Sequence, residues 1–182
     1  MENQKRSNLD SRMVALVAVL IAVTCVLTIV IRIPIAPTRG YITLADVAIY
    51  FASFSLGPWV GGIAGGIGTG LADAIAGYPQ WMVFSLIIHG VQGVVAGLIA
   101  RAGGYKLRWM VLAWIPATII MIGGYLTVSS FLYGFGPAVI EVPGNLIQNI
   151  AGGVVGIPLV FAVRKAYPPI NQVGKKQKWE EQ

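Results

Sequence analysis

The sequence predicts an all-α integral membrane protein, a bundle of six transmembrane helices. Three observations carry this. Only 11% of the 182 residues are charged, where a soluble domain carries about 25%. Mean hydropathy is +0.74. Apolar runs also recur at lengths near the roughly 20 helical residues that cross a hydrocarbon core of about 30 Å.

The first run, 13–33, is too long for the core of a signal peptide. No small-residue cleavage site follows it, so it reads as a first membrane helix. A short second span covers 43–56. "SLGPW" (55–59) breaks the chain there, and Pro58 favours a helix start. The third span is then 58–77. "GYPQ" (77–80) separates it from the fourth, 81–101. The fifth is 108–133, and "YGFGP" (133–137) separates it from the sixth, 137–164. Residues 1–12 and 166–182 read as charged cytoplasmic tails around a membrane domain of 13–165. Cys25 is the single cysteine. It excludes an intramolecular disulfide and reads as a small packing residue.

The net charge is +6, and its distribution orients the bundle. Six spans place both termini on one side. If that side is the cytoplasm, eleven of the thirteen Lys and Arg residues lie inside, with only Arg32 and Arg39 outside. This is the positive-inside pattern of a multi-pass cell-membrane protein. It accounts for the basic residues without a nucleic-acid partner.

Depth then sorts the polar side chains. Helix four enters from outside with Trp81, Ser85, His89 and Gln92 on one face. Helix six enters with Glu141, Asn145, Gln148 and Asn149, again on one face, and such side chains need helix or ligand partners. Helix five leaves with Tyr125, Ser129 and Tyr133. The inner halves of helices four to six are apolar and small, as in "VVAGLIA" and "GGVVGIPLVFAV". The polar groups therefore meet in the outer half, with no polar route to the cytoplasm, which a channel requires. The pattern predicts a cavity that collects a polar solute from outside. Tyr41, Trp81 and Tyr125 supply aromatic faces for a planar ligand. Ser85, His89, Gln92, Glu141, Asn145, Gln148 and Asn149 supply hydrogen bonds to its edges.

Two carboxylates stand apart. A charge near hydrocarbon is seldom kept without a task. Asp46 lies in the first turn of helix two, three residues after Thr43, where a local cap would sit. Asp73 in "GTGLADAIAGYPQW" lies one turn from the outer end of helix three. Both are assigned to a scaffold at the rim of the cavity. Helix one contributes no polar group to it in this reading. Instead it carries Ala15, Ala18 and Ala22 on one face, a small-residue surface that lets another helix approach closely.

Other functions fare worse. Ser85 and His89 share a face, which an intramembrane hydrolase would need. No Gly-x-Ser-x-Gly elbow surrounds Ser85. A stand-alone transporter would show inward polar groups and an inverted repeat. No phosphate-binding loop is present, so ATP coupling requires partner chains.

The stretch from "GYITLADVAIYF" through "SLGPW" and the glycine-rich helix to "LADAIAGYPQW" resembles the S components of energy-coupling factor (ECF) vitamin transporters. It is most similar to the riboflavin and hydroxymethylpyrimidine branches, and the resemblance covers roughly residues 10–165. Ala18-x-x-x-Ala22 matches the family's first-helix motif, which contacts the shared coupling subunit. The resemblance implies six helices, a site near the outer face formed by the first loop and helices four to six, and no ATPase or cofactor in this chain. It implies as partners a transmembrane coupling subunit, two ABC ATPase subunits and a small water-soluble heterocyclic vitamin or precursor: riboflavin, a hydroxymethylpyrimidine or a pyridoxine-like compound.

Overall fold

The computed structural model describes residues 11–170, so most of the two tails expected at 1–12 and 166–182 lies outside the described residues. Six helices follow in order: α1 (Ser11–Val30), α2 (Ala45–Leu56), α3 (Pro58–Ala76), α4 (Pro79–Ala102), α5 (Leu107–Tyr133) and α6 (Phe135–Ala166). The expected all-α architecture is present. α1, α4, α5 and α6 are each long and apolar enough to cross a membrane. α3, with 19 residues, rises about 28 Å, but glycine replaces much of its apolar bulk. α2 has 12 residues and rises only about 18 Å, short of the core thickness.

The punctuation acts as its chemistry dictates. Pro58 and Pro79 occupy first turns, where a missing N–H costs nothing. Gly57, Gly77 and Gly134 carry positive φ at the breaks between helices, a conformation that side chains with a Cβ disfavour.

The glycine run of α3 lets α4 pack backbone to backbone. A Cβ on Gly66 would lie 2.6 Å from the Leu86 carbonyl oxygen, and one on Gly93 would lie 2.6 Å from that of Gly61. The opposite face of α3 exposes Trp59, Ile63, Ile67, Leu71 and Ile75, at the four-residue spacing of a lipid-facing stripe.

One end of the bundle is closed by apolar packing. Tyr50, Phe54, Ala96, Ala100, Met110, Ala113, Ala117, Ile157 and Val160 form a single buried cluster of α2, α4, α5 and α6. At that end Arg164 donates to the Phe54 carbonyl at 2.7 Å, satisfying the last turn of α2.

At the other end, the loop after α1 is not irregular. It forms a small hairpin of β1 (Ile33–Ile35), one 3₁₀ turn (Ala36–Thr38) and β2 (Gly40–Ile42). Ile33 pairs with Ile42 and Ile35 with Gly40. The alternation that marks a strand is too short here to register.

Candidate functional site

The hairpin roofs the polar end of the bundle through bonds to three helices. The Tyr41 hydroxyl donates to Asp73 Oδ1 on α3. Trp81 Nε1 on α4 donates to the Arg39 carbonyl at 3.2 Å. The Thr43 backbone N–H donates to Gln148 Oε1 on α6 at 2.7 Å. Where the roof meets α6 the backbone packs directly on a side chain: a Cβ on Gly40 would lie 2.9 Å from Glu141 Oε1. Burial, and secondarily the Asp73 carboxylate, push the Tyr41 hydroxyl above its ordinary pKa. It therefore stays protonated and remains a donor to Asp73.

Beneath this roof is a cavity lined by Thr28, Gly40, Tyr41, Thr43, Thr69, Asp73, Trp81, Ser85, His89, Met121, Tyr125, Glu141, Asn145 and Gln148. Of the ten side chains expected to bind ligand, eight line it: Tyr41, Trp81, Ser85, His89, Tyr125, Glu141, Asn145 and Gln148. The α4 face is as the spacing predicts, with Trp81, Ser85, His89 and Gln92 all buried. Gln92 and Asn149 are buried behind the wall instead. Both are one step further along their helices, where α2 and α5 already supply partners. Asn149 Oδ1 accepts from the Tyr50 hydroxyl at 2.6 Å and from Thr118 at 3.2 Å.

The two aspartates separate. Asp46, expected at the rim, is fully buried in the bundle. It accepts from Gln92 Nε2 and, at 2.5 Å, from Gln148 Nε2. Capping at the start of α2 falls to Thr43, whose hydroxyl accepts the Ala45 N–H at 3.0 Å. Asp73 lines the cavity itself. One oxygen holds Tyr41, while Oδ2 has no hydrogen-bond partner. The Ser85 hydroxyl lies 2.7 Å from that of Tyr125, and either can donate to the other.

α1 also reaches the cavity, contrary to the sequence reading. Thr28 lines it, with its hydroxyl returned to the Thr24 carbonyl at 2.7 Å. A threonine that bonds its own helix reads as apolar in a sequence, and only its buried position reveals it. Thr28, Thr43, Thr69 and Met121 are the lining side chains that sequence reasoning missed. None carries a charge or an amide that would have signalled it.

Two carboxylates, Asp73 and Glu141, line the cavity, and among the described residues no Lys or Arg does. Glu141 accepts from the Ser129 hydroxyl at 2.5 Å. Aromatic rings form one wall: Trp81 and Tyr125 lie 5.6 Å apart between centroids, and Tyr125 is 5.6 Å from the His89 ring. The free space beneath the roof is about 20 Å³, the room of about one water. A ring-sized ligand therefore requires the roof or the aromatic wall to move.

Residues 8–165 match the family described as "ECF-type riboflavin transporter, S component". The chain belongs to that S-component family. It is thus a multi-pass membrane protein of a vitamin-transporter family. The S component is 38% identical over 149 residues to the thiamine precursor transporter HmpT of Lactococcus lactis subsp. cremoris (strain MG1363). That alignment covers 81% of this chain and 85% of HmpT. It is also 39% identical over 145 residues to an "Uncharacterized protein in gap 3'region" of Pyrococcus woesei, covering 80% of this chain and 97% of that protein.

Proposed function

We propose that this S component captures a single-ring, donor-bearing heterocycle of the hydroxymethylpyrimidine type, from outside, for ATP-driven uptake by an ECF complex. The observation that carries this reading is Asp73, a carboxylate on the cavity wall with Oδ2 unpartnered. A buried acceptor without a donor is costly. An exocyclic amine or a hydroxymethyl O–H would satisfy it. A flavin edge presents one N–H between two carbonyls, which suits the two carboxylates of this wall poorly. A single ring also demands less displacement of a nearly filled cavity than three fused rings. The similarity to HmpT, a thiamine precursor transporter, supports the same choice. Riboflavin is the second reading, favoured by the description of the matching family.

Calorimetry on the purified chain decides between them. 4-Amino-5-hydroxymethyl-2-methylpyrimidine is expected to bind, and to do so more tightly than riboflavin or pyridoxine. Tighter binding of riboflavin would overturn the single-ring reading.

In this proposal both termini are cytoplasmic, and the hairpin faces outward. The basic Arg101, Lys106 and Arg108 then lie inside. Thiol labelling of intact cells checks it, in a chain whose Cys25 is replaced by Ser. A membrane-impermeant maleimide is expected to reach Ala36→Cys on the hairpin and not Lys106→Cys at the opposite end. Both positions are exposed on the chain. The reverse pattern would invert the protein.

A further inference from the structure

Behind the cavity wall runs a line of hydrogen bonds whose direction is set at one end by the backbone. The Thr43 N–H can only donate, and it donates to Gln148 Oε1 at 2.7 Å. That fixes the Gln148 amide, so its Nε2 faces Asp46 and donates to Oδ2 at 2.5 Å. Asp46 is an acceptor on both oxygens when ionised. Its Oδ1 accepts from Gln92 Nε2. The same Nε2 lies 3.0 Å from the Tyr50 hydroxyl and 3.2 Å from Asn149 Oδ1. Turning the Gln92 amide over would set its oxygen against two acceptor oxygens. Gln92 Oε1 is therefore left facing His89 Nδ1, at 2.7 Å. An amide oxygen only accepts, so the proton of the neutral imidazole belongs on Nδ1.

We infer that this relay fixes His89 in its Nδ1–H tautomer, so that Nε2 meets the cavity as a pure acceptor and selects ligands that present a donor. Gln92 and Asp46 are positioning residues: they line no part of the cavity and act on the His89 tautomer from behind its wall. The selectivity rests on the pyrimidine reading above, whereas the tautomer does not. The relay also gives a role to Gln92 and Asp46, which are fully buried and do not line the cavity. A ligand carbonyl placed at Nε2 would set two lone pairs against each other. An amine there would complete its hydrogen bond.

His89 is the single histidine of the chain, so selective ¹⁵N-histidine labelling reports on this ring alone. A neutral ring is recognised by two unlike ¹⁵N shifts, one of each type. The expected result is a protonated-type shift at Nδ1 and an unprotonated-type shift at Nε2. Gln92→Met, close in volume but without an acceptor, should give a tautomer mixture with Nε2–H populated. Should that variant fail to fold, Asp46→Asn serves. Its N–H₂ replaces one of the two acceptor oxygens; with Gln148 held by the Thr43 N–H, that group faces Gln92 and favours turning its amide over, which again populates Nε2–H. A wild-type ring protonated at Nε2, or a tautomer that neither variant moves, would overturn the relay.

The second measurement is affinity for 4-amino-5-hydroxymethyl-2-methylpyrimidine and for its 4-oxo analogue. Wild type should prefer the amine by about tenfold or more, the scale of one unmatched buried polar group. The preference should shrink in the variant that loses the tautomer. Equal affinities in wild type would overturn the selectivity. If neither pyrimidine binds, the substrate reading falls and takes the selectivity with it, while the spectrum alone decides the relay.

Discussion

Ala18→Trp or Ala22→Trp is expected to abolish uptake while leaving ligand affinity near native. The reason lies in how α1 divides its faces. Leu20, Thr24 and Thr28 are buried, and Thr24 is the side chain that a Cβ on Gly68 of α3 would strike at 2.6 Å. Ala15, Ala18 and Ala22 are exposed on the side turned away from that contact. They touch no part of the cavity lining. Within a membrane, helix association gains little from apolarity, since lipid is equally apolar. It depends on close packing over small side chains. An indole at Ala18 or Ala22 would hold a partner helix several ångströms away, yet it would disturb nothing inside this chain. The test pairs calorimetry on the isolated variants with uptake in cells that express an ECF coupling subunit and its ATPases. Uptake at wild-type rates in both variants would remove α1 from the proposed interface. Loss of affinity equal to the loss of uptake would show that the bulk is felt in the site.

What the sequence made legible follows from which signals are periodic. Six apolar runs and their breaks were readable because Pro58, Pro79, Gly77 and Gly134 do locally what their chemistry requires. The polar faces of α4 and α6 were readable because four side chains recur at helical spacing over three turns. The division between lining and support was not. Gln92 and Asn149 sit on the same faces as Ser85, His89, Asn145 and Gln148. They are withdrawn from the cavity only because Asp46, Tyr50 and Thr118 approach from other helices. That approach is tertiary and leaves no local trace. The hairpin was also hidden, since three-residue strands rich in proline and glycine have no alternation to read. Without it, nothing in the sequence says that Tyr41 meets Asp73, 32 residues further along the chain, or that Gly40 closes on Glu141.

Asp73→Asn should be the most damaging single-atom change in the cavity. The sequence alone placed this residue on the rim scaffold, which would make the variant lose stability more than affinity. Its position on the cavity wall, with one oxygen on Tyr41 and the other unpartnered, leads to the opposite expectation. The asparagine can keep its carbonyl oxygen on the Tyr41 hydroxyl, so the roof stays tied to α3 and the fold is preserved. Oδ2, however, is replaced by an N–H₂ group that confronts a ligand donor with a donor. A hydrogen bond to a charged group contributes about 1.5–3 kcal/mol, so affinity for the hydroxymethylpyrimidine should fall about 10- to 150-fold. Asn145→Ala removes a neutral lining amide, a smaller effect of about 0.5–1.5 kcal/mol, or about 2- to 12-fold. Asn149→Ala should act mainly on stability, because Asn149 Oδ1 is bonded to Tyr50, Gln92 and Thr118 rather than facing the cavity. Calorimetry and thermal unfolding on the three variants separate these outcomes. Near-native affinity in Asp73→Asn, with a lowered unfolding temperature, would return Asp73 to the rim scaffold and move the ligand toward α6.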